Sequence, residues 1–268
     1  YFFFTFIPKS YKMAKVIGPL KLSGTLGDIT FADTTEGNIA KEKREDYMTS
    51  EEFMANPIYD PIRNHGKEMG YCSTKSRLFR LLAVNFYKNS KDVSFAGRAN
   101  QILFEILEED LVNPKGQRTL SEGMKTPFLG EIIIGFEGNK QKPLKKVLKT
   151  KYTHSHEERT IKIIDFNPEN HLDWPEDATH AHFAMATSNW DFENDTFDTC
   201  YSEEIKIAKE SDPTTISLYT EKPKGNQLQL TYLYISFAKL ERRKYKHFHR
   251  RSNTVSIIAC HYPNTNPN

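Results

Sequence analysis

Three His-x-His pairs are the first candidates for chemistry: His154/His156, His180/His182 and His247/His249. On a β-strand, residues i and i+2 point to the same face, so each pair can offer two imidazoles to one metal ion. Zinc, iron and copper sites use such donors, and Glu157 and Glu158 add carboxylates beside the first pair. The metal-ligand candidates are therefore His154, His156, His180 and His182. Three features favour plain surface histidines instead. Phe183 and Met185 alternate with His180 and His182, which places the histidines on the polar side of a half-buried strand. His247 and His249 lie inside the basic run 242–251, whose charge opposes a cation. No third ligand stands in register with His154 and His156.

Two basic runs come next. Residues 140–151 hold six lysines, among them Lys145, Lys146 and Lys149. Residues 242–251 hold Arg242, Arg243, Lys244, Lys246, Arg250 and Arg251, with Tyr245, His247, Phe248 and His249 between them. Cations interleaved with aromatics suit a polyanion, because cations neutralise phosphates and aromatic rings stack on bases. The same side chains also solvate exposed strands and block edge pairing. Residues 191–212 carry eight Asp and Glu against Lys206 and Lys209. Charge segregated in this way lets one subunit dock on the next.

Nucleophile and phosphate-binding motifs are missing: no Gly-x-Ser-x-Gly, no phosphate loop, no dinucleotide fingerprint and no His-Glu-x-x-His. The reading is a non-enzyme with no catalytic residues and no cofactor. Cys72, Cys200 and Cys260 are an odd, widely spaced set, which excludes a disulfide scaffold and a cysteine-rich zinc site. Cys72, near His65, reads as a packed thiol.

These residues need a scaffold, and the composition supplies one. The chain has 268 residues, 38% of them hydrophobic, enough for a real core. Its 37 Lys+Arg against 35 Asp+Glu leave a net charge of +2, which argues against a surface that wraps nucleic acid on every side. No apolar run is long enough for a membrane-spanning helix. Residues 1–12, rich in aromatics, end without a small-residue cleavage site and read as a non-native upstream extension rather than a signal peptide. Met13-Ala14-Lys15 then reads as the start of a protein that is cytoplasmic as synthesised.

Along the chain, residues 13–48 alternate in short strands around Gly27-Asp28 and Glu36-Gly37-Asn38, which predicts a β-hairpin arm. Residues 41–46 are a solvated mixed-charge run. Thr49 caps a short helix, and the segment 62–72 is a weak helix because of Gly66 and Gly70. Residues 76–87 and 93–111 show helical periodicity, the second with Phe95, Ala99, Ile102, Leu103, Ile106 and Leu107 on one face. After Gly123 the period becomes two. Strands are predicted over 131–137, 145–153, 160–166, 179–187, 201–208, 214–220, 227–239 and 254–260. The fold class is α+β: a β arm (13–48), a helical module (49–123) and an antiparallel β-sandwich, Ig-like (124–268).

The first half carries Gly24-Thr25-Leu26-Gly27-Asp28-Ile29-Thr30-Phe31, then Ala40-Lys41-Glu42-Lys43, a basic stretch over 75–80, and Asn113-Pro114-Lys115-Gly116-Gln117-Arg118. With Met13-Ala14-Lys15 before them and Asp191 to Phe197 after, these motifs resemble an uncharacterised family of short bacterial conserved hypothetical proteins. Ala32-Asp33 departs from the aromatic and basic pair expected there. The resemblance implies a start at Met13 and helices followed by a β domain, and it brings no catalytic residue with it. The expected function is a non-catalytic structural or interaction protein that assembles with itself or another protein. A nucleic-acid-binding accessory protein using the 242–251 run is the alternative, and a histidine-rich metal-binding enzyme the third.

Overall fold

The computed structural model describes residues 13–16, 21–35, 37–42 and 48–263. The expected upstream extension 1–12 and most of the charged run 41–46 lie outside the described residues. The chain divides into two compact units, Tyr1–Tyr59 and Asp60–Asn268.

In the first unit, β1 (Met13–Lys15), β2 (Gly24–Leu26), β3 (Ile29–Thr34) and β4 (Gly37–Glu42) form an antiparallel sheet in the order β1-β4-β3-β2. Gly27, at φ +56°, makes the two-residue turn between β2 and β3, where a left-handed first position suits glycine. The Asn38 side chain accepts from Leu22 N–H and donates to Leu22 O, tying the segment before β2 to β4. No apolar residue of this unit is buried among the described residues; Leu26 is 77% exposed and Ile29 46%. Helix α1 (Ser50–Ala55) follows, closed by a capping box between Thr49 and Glu52.

The second unit has three layers. The middle one is a six-stranded antiparallel sheet built on two long strands, β7 (His180–Asp191) and β11 (Leu228–Glu241), paired from Leu228↔Trp190 to Ala238↔His180. On the outer side of β7, β8 (Thr196–Tyr201) and β9 (Ile205–Ala208) behave as one strand broken at residues 202–204. On the outer side of β11, β12 (Lys244–His247) and β13 (Thr254–His261) are one strand broken at 248–253. A second sheet, in the order β10-β6-β5, joins β10 (Thr214–Tyr219), β6 (Thr160–Phe166) and β5 (Thr153–Ser155). Ile161, Ile163, Phe166, Ile216 and Leu218 on it pack against Phe183, Met185, Leu233, Ile235 and Phe237 of the middle sheet.

Helices cover the other face of the middle sheet. These are α2 (Asp60–Phe79), α3 (Val84–Lys88), α4 (Phe95–Glu108), α5 (Leu120–Gly123) and α6 (Leu129–Ile133). The six apolar residues expected on one face of α4 are all buried. Phe79, Phe86, Tyr87 and Phe95 pack with Trp190, Leu228, Leu230, Tyr232 and Tyr234. Gly123 lies inside this layer, where an added Cβ would sit 2.1 Å from Ile106 O, so α5 approaches α4 as only glycine allows. The molecule is thus α+β, with helices and antiparallel sheets sharing cores.

Local departures from the sequence reading have physical reasons. Residues 131–137 and 145–153 are not strands: α6 and α7 (Leu144–Val147) occupy them, each turning two apolar residues inward. A short apolar run does not distinguish the two periods. Gly66 and Gly70 do not weaken α2, which runs 20 residues because it buries Glu68, Cys72, Lys75, Ser76 and Phe79. The 76–87 helix is broken between Phe79 and Val84.

Candidate functional site

The break between β8 and β9 falls opposite residues 184–185 of β7, and that between β12 and β13 opposite 236–237 of β11, about three residues further along the sheet. A cleft of about 460 Å³ lies beside both. Ser202 and Glu204 line it from one break; Phe248, Arg250 and Asn253 line it from the other. Ala184, Tyr234 and Ser236 form its floor, and Asn85 and Asn89 of the α3 segment wall it on the helix side. Interruptions of regular pairing free side chains to point where an intact ladder would not allow. The walls are well anchored. Asn253 donates to Asn89 O at 2.8 Å and accepts from Phe237 N–H at 3.2 Å, while Phe86 stacks on Tyr234 with centroids 4.7 Å apart. The Asn85 amide, the Arg250 guanidinium and the exposed His247 imidazole make no hydrogen bond among the described residues and are free for a ligand.

Beyond this cleft the helix layer ends, and the sheet curls around polar residues. His180, His182, Tyr245 and His247 share the face, with His182 ring centroids 5.1 Å from Tyr245 and 5.2 Å from His247. Lys206 Nζ lies 4.9 Å from the Tyr245 ring centre, a cation–π contact. The expected half-buried strand is a correction: β7 is buried on both faces, and His182 is fully buried rather than a surface histidine. The second sheet covers one side; on the other, helices cover residues from Ala184 onward and Tyr245 and His247 pack on His182, which no local pattern reveals. His182 Nδ1 lies 3.1 Å from Glu204 Oε1, yet neither ring nitrogen has an aligned hydrogen bond. Burial pushes its pKa below the ordinary value of 6.5, against the pull of Glu204.

The other histidines are placed apart. His154 and His156 stand on and just after β5, with the His156 ring 4.2 Å from His261. Burial lowers both pKa values, and neighbouring imidazoles lower them further. His249 Nδ1 accepts from Arg251 N–H, capping a turn of 3-10 helix at Arg250–Ser252. Among the described residues, no three His, Cys, Asp or Glu side chains gather to hold a metal. Cys72 and Cys260 are packed thiols, pushed up to about 12 by burial.

The basic candidates separate as well. Lys145 and Lys146 lie on α7 and Lys149 just beyond it, where Lys142 pairs with Asp173 at 2.9 Å. Arg242 and Arg243 form the tip of the β11–β12 hairpin, and Lys244 and Lys246 lie on β12. Arg250 alone joins a second, adjacent groove of about 480 Å³, lined also by Arg77, Arg80, Lys88 and Lys91. None of these five cations is within ion-pair distance of a carboxylate among the described residues. Asp92, also at the groove, is held by Arg98 at 3.0 Å and by Lys140 N–H at 2.8 Å. The sequence reading did not single out Arg77, Arg80, Lys88 and Lys91 as a cluster. The signal was limited to two pairs spaced i, i+3, 77/80 and 88/91, because the chain leaves the helix between Phe79 and Val84.

The Asn113–Arg118 motif has a structural role. Glu68 accepts from Gly116 N–H and grips Arg118 through two bonds, while Asp110 holds Asn113 and Thr119 N–H. It clamps the loop after α4 onto α2. No helix among the described residues is long and apolar enough to cross a membrane. No family model, curated protein or solved structure matches the chain. The resemblance to the bacterial family rests on its motifs alone.

Proposed function

We propose that this chain is a non-catalytic binding protein that holds a single nucleic-acid strand. The observation that carries this reading is the groove in which Arg77, Arg80, Lys88, Lys91 and Arg250 converge from three segments without a carboxylate partner. Gathering like charges is unfavourable in the empty protein, and an anionic strand relieves the repulsion. Arg250 also lines the cleft of Asn85, Asn89, Tyr234 and Phe248, so phosphates in the groove deliver a base to amides and aromatic rings. A duplex keeps its bases stacked and cannot fill such a cleft. With the chain near neutral, the binding is local to this groove.

The test is fluorescence anisotropy of a labelled single-stranded oligonucleotide, titrated from low to moderate salt. Five phosphate contacts give a log–log salt slope of about −3.5, and R77A/K88A/K91A lowers its magnitude by about two. Equal affinity of that variant and the parent, or a preference for duplex or heparin, sinks the reading.

A second reading, assembly with itself or another protein, is favoured by the β1–β4 sheet. A sheet with no buried apolar residue among the described residues gains little from folding by itself. Light scattering over a tenfold concentration range tests it, and a strict monomer at low salt counts against it.

A further inference from the structure

We infer that the β11–β12 hairpin of one copy docks into an acidic groove on a second copy, head to tail. The inference deepens the assembly reading and rests on it. Two independent features point to the hairpin. Glu241 pairs with Lys244, so Arg242 and Arg243 are the whole turn, and both sit in the left-handed region at φ +47° and +67°. Such turns favour Asn-Gly, because a Cβ is strained there. Here two arginines occupy the strained positions, and strain at a surface tip points to a use for the side chains. Residues 242–247 are also exposed throughout, and the nearby Glu241 and Asp177 carboxylates are engaged by Lys239, leaving Arg242, Arg243, Lys244 and Lys246 without an ion pair among the described residues.

The receiving groove lies on the opposite charge. About 540 Å³ in volume, it runs between the break of β8 and β9 and the strand β10, lined by Cys200, Glu203, Ser217, Tyr219 and Glu221. Asp198 adds a negative charge beside Cys200. Arg159 is at the same groove, but its guanidinium donates to Thr220 O and Glu157 O and lies over Tyr219. β10 bonds only β6, and β8 and β9 bond only β7, so two strand edges face the groove with unpaired backbone groups. β10 carries no lysine and no interior proline, so its edge accepts another strand, whereas β9 carries Lys206. β12, itself an outer strand, can supply one, with its cations set against Glu203 and Glu221. Hairpin and groove are different surfaces, so the contact is heterologous and a docked pair leaves one hairpin and one groove free.

The experiment uses the full chain and light scattering at low and high salt. R242E/R243E and E203R/E221R each reverse one side of the contact. The parent is expected to oligomerise at low salt and dissociate at high salt, each variant alone to be monomeric, and their equal mixture to reassemble. Arg242→Asn with Arg243→Gly keeps the turn, relieves the strain and removes the charge, so it should be folded, more stable and monomeric. A parent that is monomeric at every concentration overturns the docking and the assembly reading together. Oligomers that persist in both reversed variants, or folded variants that fail to recover on mixing, overturn the docking alone. Oligonucleotide binding should change less than threefold in the hairpin variants. Its collapse with unchanged mass would assign the hairpin to nucleic acid and overturn the docking.

Discussion

One face of one sheet has two ends that behave differently. At the end crossed by the helices, Trp190, Leu228, Leu230 and Tyr232 are fully buried and aromatic rings fill the space between layers. At the other end the same two strands present His180, His182, Ala238 and Ser236, and the outer strands are broken. The backbone ladder between β7 and β11 is continuous through both. What differs is the covering layer, and with it the tolerance for polar side chains. Apolar packing fills the first end, and buried polar side chains beside a cleft distinguish the second.

The strongest way to break this comparison is to truncate each end in turn. Trp190→Ala should cost about 3–5 kcal/mol, read from urea unfolding, because it opens a cavity under the helices. A loss below 1 kcal/mol would show that the covered end does not carry the stability. The next effect is the pH dependence of Glu137, bridged to Ser256 beside the covered end. Burial pushes its carboxyl up to about 7, from an ordinary 4.5. The folded state therefore holds a proton that the unfolded state has released, and stability falls as pH rises from about 4.5 to about 7. The slope is at most about 1.4 kcal/mol per pH unit, and Glu137→Gln should flatten it.

His182, buried at the polar end, should do the opposite. Its pKa is lowered by burial, so below 6.5 the unfolded state takes up the proton first. Its contribution is complete above 6.5 and is lost as pH falls below it. Urea midpoints of His182→Gln against the parent at pH 5 and pH 7 measure this, with the difference confined to the acid side. A smaller change comes from Arg242→Asn with Arg243→Gly, which should raise stability by on the order of 1 kcal/mol by relaxing two left-handed residues. Smallest of all, His247→Ala, exposed at the cleft mouth, should leave stability within about 0.5 kcal/mol. A larger loss there would mean that the open end is as load-dependent as the covered one.

Much of the scaffold was legible. The apolar face of α4 was readable residue by residue, because 3.6-residue periodicity over several turns has few alternatives. The strands β6, β10, β11 and β13 were also found close to their observed limits. Segments 131–137 and 145–153 were misread as strands because an apolar run of that length fits either period. The site was less legible. Of the three His-x-His pairs only His180 and His182 lie within one strand, and whether their face is wet depends on what covers it. Arg250 was in the basic run, while Arg77 and Arg80 read as the polar side of a helix and Lys88 and Lys91 fell between the two predicted helices.

By itself, then, the sequence determined the period of each long element, the turn positions, the alternation of faces and the sign of charge along the chain. All of these depend on neighbours a few residues apart. Only the tertiary structure decided that β7 is buried on both faces, that the breaks in the two outer strands border one cleft, and that five cations from separate segments meet at one groove. The physical reason is range. Periodicity and turn chemistry are local, whereas burial of His182 and convergence on Arg250 come from layers packing across more than a hundred residues of chain.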